Sequence, residues 1–271
     1  MIKKILQKLF NFLGYKITKF NTVESVDKDK ITTLLIENEK PTIFDVGANQ
    51  GQSIDRYKKI YPKSNIHSFE PNKHQIEKIY KKYPNDDTVV LNNVAVGEKP
   101  GNLEFYIYAT PGHSSFRKLI PDTTWLKTRS KTAAKDLANP TINSKNYTVE
   151  KINSNIITLD DYCTAKNINQ IDILKIDVQG YEDKVLEGAK NLLEARKIKL
   201  IQLELIFSEI YENPLNIYDI EKFIIPNNYK LFGITNAGSL ITHYIWQQDH
   251  IYISNDVYND FKKNKSPFDK N

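Results

Sequence analysis

Short apolar runs alternate with amphipathic stretches along the chain, and this alternation predicts its secondary structure. The apolar runs have the length and composition of strands, and they lie at residues 43–47, 66–70, 88–96, 103–108, 171–178, 200–207, 229–235 and 249–254. Apolar positions at helical spacing predict helices at 51–60, 72–82, 183–195 and 215–225. Prolines at 62, 84 and 226 end three of these helices. Repeated β-α units of this length predict an α/β fold, with a Rossmann-like, doubly wound and mostly parallel sheet that carries helices on both faces.

The remaining segments define the predicted domain boundaries. Residues 1–40 form an N-terminal basic amphipathic helix with a polar lead-in, residues 41–256 form one α/β domain, and residues 257–271 form a polar tail. Within the domain, residues 109–152 contain several prolines and little periodicity, which predicts an irregular insertion or a lid. Gly238 is expected in the turn between the last two strands.

The first 20 residues combine an apolar face with a basic one. Their apolar side chains lie near one side of the predicted helix, namely Ile2, Ile5, Leu6, Leu9, Phe10, Phe12 and Leu13. The segment is too short and too charged to span a bilayer, and it lacks the apolar stretch and cleavage site of a signal peptide. Two interpretations stay open: a helix packed on the domain or on a partner chain, or an interfacial helix resting on anionic lipid.

The same segment accounts for the net charge of +5. It holds five lysines and no acid, and removing these five from the 38 basic residues leaves 33, equal to the 33 acidic residues. A neutral body argues against nucleic acid as a partner. The single cysteine, Cys163, excludes an intrachain disulfide and a multi-cysteine metal cluster. We therefore expect a cytoplasmic protein, with contact at the inner face of the membrane as the alternative offered by the N-terminal segment.

An apolar strand, a small-residue turn and a later acid form the most informative pattern. The strand and turn read Ile43-Phe-Asp-Val-Gly-Ala-Asn-Gln-Gly51, and the acid is Glu70 at the end of the second strand. In a parallel sheet this arrangement binds a nucleoside, and the acid holds the ribose hydroxyls. The turn lacks the second glycine that a pyrophosphate requires, and no Gly-Lys-Ser/Thr of a P-loop follows. S-adenosylmethionine has a ribose and no phosphate, and it fits this pattern.

Five stretches occur in a fixed order along the chain. They are Phe44-Asp-Val-Gly-Ala-Asn-Gln-Gly51, Ser68-Phe-Glu-Pro-Asn72, Asn93-Val-Ala-Val-Gly97, Ser114-Ser115, and Leu174-Lys-Ile-Asp-Val-Gln-Gly-Tyr-Glu182 with Val185-Leu-Glu-Gly-Ala189. Together with Thr158-Leu-Asp-Asp-Tyr162 they resemble the FkbM family of S-adenosylmethionine-dependent methyltransferases, over residues 40–255. The family usually has Glu where Gln179 stands, so this chain lacks a carboxylate there.

Candidate cofactor-binding residues lie at the ends of the predicted strands. They are Asp45, Gly47, Asn49, Gly51, Glu70, Asn93 and Asp177. Asp45 either orders the glycine turn or meets the methionine amine of the cofactor. Asn93 either reaches the adenine or stabilises a turn. Gly47, Asn49 and Gly51 are expected along the amino-acid end of the cofactor.

Three residues are candidates for catalysis: Asp177, His113 and Glu204. Asp177 shares a strand face with Lys175, so the two either brace the site or present an acid to the cofactor or acceptor. His113 lies in a loop and titrates near neutrality, and Glu204 ends another central strand. No metal site is predicted, although the carboxylates of Asp177 and Glu204 together suit a divalent cation. The basic segment 125–135, which begins with Trp125, is either a solvated face or a lid that meets the substrate.

The resemblance implies O-methylation of a hydroxyl on a sugar, a glycan or a natural product, by in-line methyl transfer and within polysaccharide biosynthesis or a related process. The partner is then a small-molecule or glycan acceptor. A non-catalytic cofactor-binding or scaffold protein on the same fold is the main alternative, and the loss of the carboxylate at Gln179 is the observation that favours it. A nicotinamide-dependent oxidoreductase is disfavoured by the glycine turn.

Overall fold

The structure is a computed structural model, and it describes residues 27–235 and 246–264. Ten strands and nine α-helices are present in these residues. The strands are β1 (Thr42–Val46), β2 (Asn65–Phe69), β3 (Val89–Asn92), β4 (Ala95–Val96), β5 (Gly101–Tyr108), β6 (Thr148–Ile157), β7 (Ile171–Ile176), β8 (Ile198–Ile206), β9 (Tyr229–Thr235) and β10 (Gln247–Ser254). The helices are α1 (Lys28–Leu35), α2 (Gln52–Ile60), α3 (Lys73–Lys82), α4 (Thr124–Asp136), α5 (Leu159–Lys166), α6 (Glu182–Glu187), α7 (Lys190–Glu194), α8 (Ile217–Ile224) and α9 (Asn255–Asn264). The predicted N-terminal amphipathic helix and Gly238 lie outside the described residues.

Seven strands form the central sheet, in the order β3-β2-β1-β7-β8-β10-β9. The five strands from β3 to β8 in this order are parallel, whereas β10 is antiparallel to both of its neighbours. The strand order reverses at β1, which lies between β2 and β7. Doubly wound sheets bind their ligands at such a reversal, outside the carboxyl ends of the strands.

Helices cover both faces of this sheet. On one face, Ile54 of α2 and Ile79 of α3 are fully buried in a cluster that also includes residues of α1 and α9. On the other face, α5 to α8 contribute to a second cluster around Leu159, Leu186 and Ile220. The predicted Rossmann-like, doubly wound fold is therefore confirmed.

A second sheet of three strands, in the order β4-β6-β5, was not expected from the sequence. β5 and β6 form a long antiparallel pair, and β4 pairs with β6 in parallel. A third apolar cluster lies between this sheet and α4 and includes Tyr108, Leu126 and Tyr147. The small sheet thus carries its own packed layer beside the central sheet.

The prediction that residues 109–152 are irregular was wrong for α4 and for the first half of β6. Helix α4 begins at a Thr123 cap, whose hydroxyl accepts a hydrogen bond from the Leu126 N–H at 3.1 Å. The buried positions of this helix hold Leu126, Ser130 and Ala133. Two of these three are small, so the apolar period that marks a helix is faint in the sequence.

Two predicted elements are each divided in the structure. The strand expected at 88–96 separates into β3 and β4, and each half joins a different sheet. The helix expected at 183–195 separates into α6 and α7 at Gly188. A Cβ atom on Gly188 would lie 2.0 Å from the Gly97 carbonyl oxygen, so this contact between the helix and the second sheet requires glycine.

The C-terminal segment also differs from the expected polar tail. Its first part forms α9, which packs through Val257 and Phe261 on the face that carries α1. The residues after Asn264 lie outside the described part of the chain. In the described ranges, we find no helix with the length and apolarity needed to cross a membrane.

Candidate active site

The turn after β1 follows a path that glycine makes accessible. Gly47 has a φ of +81°, and a Cβ atom there would lie 1.9 Å from the Asp177 carbonyl oxygen. Gly47 was expected to lie along the cofactor. In the structure, glycine is required at this position because the backbone that follows β7 passes close to it. Asn49 and Gly51 have φ values of +46° and +80°, and Gly51 is the residue from which α2 begins.

A buried lysine connects the turn to β7. The Lys175 Nζ donates a hydrogen bond to the Gly47 carbonyl oxygen at 2.8 Å and lies 3.1 Å from Asp45 and 3.5 Å from Asp177. Burial acts to lower the pKa of Lys175, but Asp45 and Asp177 outweigh it and the pKa is raised. Lys175 therefore stays charged and braces the turn, as one of the two sequence-based interpretations proposed.

Glu70 is a buried carboxyl group held by the backbone. One of its oxygens accepts a hydrogen bond from the Asn49 N–H at 2.8 Å, and the other accepts one from the Asn72 N–H at 2.9 Å. The side chain is 6% exposed, and burial raises its pKa to about 7 in spite of these two hydrogen bonds. Glu70 thus ties the turn after β1 to the turn after β2, and its carboxylate retains acceptor capacity toward the pocket.

A pocket of about 560 Å³ opens between these turns and the second sheet. Four of the seven predicted cofactor-binding residues line it, and they are Gly47, Asn49, Glu70 and Asp177. Its apolar wall includes Phe69, Val96, Phe105 and Phe116, and its remaining wall includes the loop with Pro111, Gly112 and Ser114. The mixture of apolar walls with few polar groups is typical of a small-molecule site.

Three of the predicted cofactor contacts lie behind the pocket instead. Asp45 is fully buried against Lys175, and Gly51 positions the start of α2. The Asn93 amide donates to the carbonyl oxygens of Glu70 and Pro71 at 2.9 and 3.0 Å. Asn93 therefore stabilises a turn, which was one of its two predicted roles, and the contact with adenine is not supported.

The loop after β7 places an amide between two carboxylates. The Gln179 Nε2 lies 2.9 Å from an Asp177 oxygen and 2.9 Å from a Glu204 oxygen. The second Glu204 oxygen accepts a hydrogen bond from the Gln247 amide. Burial, with Asp177 and Asp249 nearby, raises the pKa of Glu204 above its usual range. Asp177 and Glu204 are thus brought together as predicted, with Gln179 between them.

A second cavity of about 440 Å³ adjoins the first, and Asp177 lines both. Its other polar residues are Lys28, Ser53, Arg56, Lys175, Gln202, Glu204 and Asp249. Within residues 27–235 and 246–264 we find no convergence of three or more histidine, cysteine or acidic side chains suited to a metal ion. The two cavities meet at the carboxyl end of β7.

The structure does not support His113 as a catalytic group. Its ring packs 4.8 Å from the Trp125 ring and its Nδ1 lies 2.9 Å from the Tyr147 hydroxyl, outside the lining of the pocket. Burial and the nearby Arg129 lower its pKa to about 4, so the ring is neutral at pH 7. Trp125, the first residue of the basic segment 125–135, is half-buried beside it.

Several residues that position the site were not identified in the sequence. The Ser115 hydroxyl donates to the Gln179 carbonyl oxygen at 2.8 Å, and the Tyr211 hydroxyl lies 3.0 Å from the Gln179 side-chain oxygen. Glu182 accepts hydrogen bonds from the backbone N–H groups of Val178 and Gly180. Ser115 belongs to the Ser-Ser stretch of the family resemblance, whereas no sequence pattern marked Tyr211.

The polar groups of the pocket fit a nucleoside with a charged amino-acid end. Glu70 offers a carboxylate that suits vicinal ribose hydroxyls. The buried Asn49 Oδ1 has no hydrogen-bond partner among the described residues and is an acceptor that suits a ligand ammonium group. The apolar residues Phe69 and Val96 suit a purine ring.

Comparison with known proteins places this geometry in context. The family model described as the methyltransferase FkbM domain matches residues 45–231. The chain is 26% identical over 189 residues to the 2-O-methyltransferase NoeI of Sinorhizobium fredii (strain NBRC 101917 / NGR234), and the match covers 67% of this chain and 70% of that protein.

Solved structures with a similar arrangement include two methyltransferases. The methyltransferase FkbM from Methylobacillus flagellatus KT is 13% identical with a TM-score of 0.49, and the match covers 79% of this chain and 44% of that one. The chain therefore spans less than half the length of that protein. The magnesium protoporphyrin IX methyltransferase from Synechocystis PCC 6803, solved with bound cofactor, is 11% identical with a TM-score of 0.42, covering 93% and 96% of the two chains.

Proposed function

The chain belongs to the FkbM methyltransferase family and uses S-adenosylmethionine as its cofactor, and from this premise we propose that it methylates a hydroxyl of a sugar, a glycan or a natural product. The observation that carries this proposal is the position of Asp177. This residue lines both the pocket that fits the cofactor and a second cavity lined by polar side chains. A group at this position can take the proton of an acceptor hydroxyl.

Gly47, Asn49 and Glu70 are the residues that we propose to hold the cofactor. The Asn49 Oδ1 accepts from the amine of the methionine end, and Glu70 accepts from the ribose hydroxyls. The cofactor would supply an electrophilic methyl group on its sulfur. The role proposed for the protein is to hold the acceptor hydroxyl close to this group, and such positioning can account for most of the rate acceleration.

Asp177 is the proposed general base. It would accept the proton of the acceptor hydroxyl during methyl transfer, and the cofactor would leave as S-adenosylhomocysteine. Glu204 is less suited to this role because it lines only the second cavity, whereas Asp177 also lines the pocket that fits the cofactor. Lys175 lies 3.5 Å from one oxygen of Asp177, and Gln179 contacts the other, so the two residues hold this side chain in place.

The second cavity supports a polar, hydroxyl-rich acceptor. Its lining combines cations and carboxylates, among them Lys28, Arg56, Glu204 and Asp249, which are groups that form hydrogen bonds with hydroxyls. The relative from Sinorhizobium fredii is by its name a 2-O-methyltransferase, which supports oxygen as the atom that receives the methyl group. The lysines of α4 are exposed, and none of them belongs to the lining of this cavity.

Methyl transfer to defined acceptors tests the proposal. The purified protein would be incubated with cofactor carrying a ¹³C-labelled methyl group and with sugars, oligosaccharides and hydroxylated small molecules. We expect a product whose labelled carbon has the chemical shift of an O-methyl ether in the NMR spectrum. A product methylated on nitrogen or carbon would contradict the proposal.

A cofactor-binding protein without turnover is the second candidate, favoured by Gln179 in place of the usual carboxylate. Such a protein would bind S-adenosylmethionine and release no S-adenosylhomocysteine with any acceptor. Measuring the demethylated cofactor in the same incubations separates the two candidates.

A further inference from the structure

Asp177 and Glu204 are two carboxylates that approach the same neutral group. Each has an oxygen 2.9 Å from the Gln179 Nε2. The primary amide has two hydrogens on this nitrogen, so it can donate one to each carboxylate. The three side chains thus form a bridge across the carboxyl ends of β7 and β8, directly beside the cofactor pocket.

The surroundings fix the orientation of this amide. Both carboxylates are acceptors in their ionised form, so the nitrogen rather than the oxygen of the amide must face them. The amide oxygen lies 3.0 Å from the Tyr211 hydroxyl, which also lies 2.7 Å from the His113 carbonyl oxygen and has one hydrogen to share between the two. The backbone of Gln179 is also constrained, because its φ is +59° and its carbonyl oxygen accepts a hydrogen bond from Ser115. For a residue other than glycine, this φ costs conformational free energy, which the surrounding contacts must offset.

Two carboxylates can stay side by side in a poorly solvated place in three ways. They can share a proton, they can bind a cation between them, or a neutral donor can satisfy both. A shared proton would leave Asp177 less able to accept one from a substrate. A bridging divalent cation would occupy the space that the Gln179 amide fills. The Gln179 amide lies between the two carboxylates, which is the geometry of the third arrangement.

We propose that Gln179 is a positioning residue that takes the place of a bridging divalent cation and holds Asp177 beside Glu204 in a metal-free site. The consequence for turnover rests on the proposed function, since it assumes that Asp177 accepts the proton. The consequence for metal binding follows from the geometry of the three side chains alone. The two consequences can therefore be tested separately.

The Gln179→Glu variant is the direct test. It would bring a third carboxylate between Asp177 and Glu204, and oxygen ligands of this kind bind divalent cations. We expect this variant to bind Mn²⁺ at least tenfold more tightly than the wild-type protein, as measured by electron paramagnetic resonance of the free ion. Adding Asp177→Asn to Gln179→Glu should remove the gain.

A matched control separates this effect from added charge. Gln170 is exposed and lies just before the amino end of β7, so Gln170→Glu adds the same charge at the opposite end of the strand. We expect Gln170→Glu to bind Mn²⁺ no better than the wild-type protein. Circular dichroism of each variant would establish that it is folded.

The Gln179→Ala variant keeps the test decisive if Gln179→Glu does not fold. It adds no charge and removes the amide from between the two carboxylates, so a cation can enter there. We expect Gln179→Ala also to gain Mn²⁺ affinity, by a smaller factor than Gln179→Glu. If neither variant exceeds the wild-type protein, or if the wild-type protein itself binds Mn²⁺ in a manner that Asp177→Asn abolishes, the proposal is wrong.

Turnover supplies the second measurement. We expect methyl transfer by the wild-type protein to be unchanged by a chelator, and transfer by Gln179→Glu to fall in the chelator and to recover with Mn²⁺. A wild-type rate that drops in the chelator would overturn the proposal. The absence of methyl transfer by the wild-type protein would contradict the proposed function, while the Mn²⁺ measurements would still decide the role of Gln179.

Discussion

Glu70 is a buried carboxyl group whose charge changes near neutral pH, because burial raises its pKa to about 7. Ribose hydroxyls donate hydrogen bonds to a carboxylate, so a bound nucleoside favours the ionised form. We therefore expect the affinity for 5′-methylthioadenosine to rise with pH up to about 7, by at most tenfold per pH unit, and to level off above it. Calorimetric titration over this pH range measures the effect.

The choice of ligand and one variant make this measurement specific. 5′-Methylthioadenosine carries the ribose and adenine without the amine of the cofactor, so the titration of that amine does not contribute. Glu70→Gln cannot ionise at this position, and we expect it to bind weakly and without pH dependence. An equally flat profile for the wild-type protein would exclude contact between Glu70 and the ribose.

Asp177→Asn is expected to separate turnover from cofactor binding. The amide keeps an oxygen for the Gln179 hydrogen bond but cannot accept the proton of the acceptor hydroxyl. We expect kcat to fall by about 10²-fold or more, the usual contribution of a general base. The dissociation constant of S-adenosylhomocysteine should change by a much smaller factor. Steady-state kinetics on an identified acceptor and calorimetry provide the two values.

Asp172 offers a control on the same strand. It lies at the amino end of β7, where its carboxylate accepts hydrogen bonds from the Thr42 N–H and from Lys199. Asp172→Asn is expected to lower the free energy of unfolding and to leave kcat per folded molecule unchanged. Equal losses of kcat in the two variants would contradict the role of Asp177 as the base.

The sequence predicts which edge of the sheet carries the site, but not which side chains face the pocket. Gly47, Asn49, Glu70 and Asp177 line it as expected because they follow or end parallel strands. Asp45 ends behind the turn because its carboxylate pairs with Lys175, a contact between residues 130 positions apart in sequence. The sequence does not show which side chains far apart along the chain make contact, so the contact between Gln179 and Glu204 was also missed.

At the scale of elements, the turn after β1 depends on close contact with the end of β7. We expect Gly47→Ala to lower the free energy of unfolding by about 3 kcal/mol or more, because the new methyl group would lie 1.9 Å from the Asp177 carbonyl oxygen at a positive φ. Urea denaturation followed by circular dichroism measures this change.

Gly101→Ala is the matched substitution in β5. A Cβ atom there would meet no other atom within 4 Å. We expect its free energy of unfolding to stay within about 1 kcal/mol of the wild-type value. Similar effects of the two substitutions would mean that the contact between Gly47 and β7 does not determine the conformation of the turn.

Element prediction succeeded where the apolar pattern was strong. The central parallel strands β1, β7 and β8 are buried on both faces, so their sequences read as apolar runs, and proline marked the ends of α2 and α3. Helix α4 and strand β6 have few large apolar side chains. They are held by their contacts with β5, which residue patterns within either segment cannot show.

At the scale of the whole molecule, the reversal of strand order at β1 determines where both cavities lie. The cofactor pocket opens between the turns after β1 and β2, and the second cavity opens beside β7 and β8. Asp177 follows β7 and lines both cavities, so the proposed cofactor and acceptor sites meet at this residue. Repeated β-α units allowed this edge to be predicted, whereas the second sheet, which closes the pocket through Phe105, was not predicted.

The distribution of charge over the whole molecule leads to the last prediction. The first 20 residues hold five lysines and no acid, while the remaining residues have equal numbers of basic and acidic side chains. A basic amphipathic segment binds anionic lipid through both its charge and its apolar face. We expect the full chain to sediment with vesicles that contain anionic phospholipid at low salt, and to be released at high salt because the attraction is screened.

Two variants show whether this binding depends on the N-terminal segment. Replacing Lys3, Lys4 and Lys8 by glutamate reverses the charge while keeping the apolar positions, and a chain without residues 1–20 removes both. Both variants should lose the binding, and neutral vesicles should bind none of the three proteins. If the full chain binds anionic vesicles no better than the shortened one, the segment has its other predicted role, packing against the domain or a partner chain.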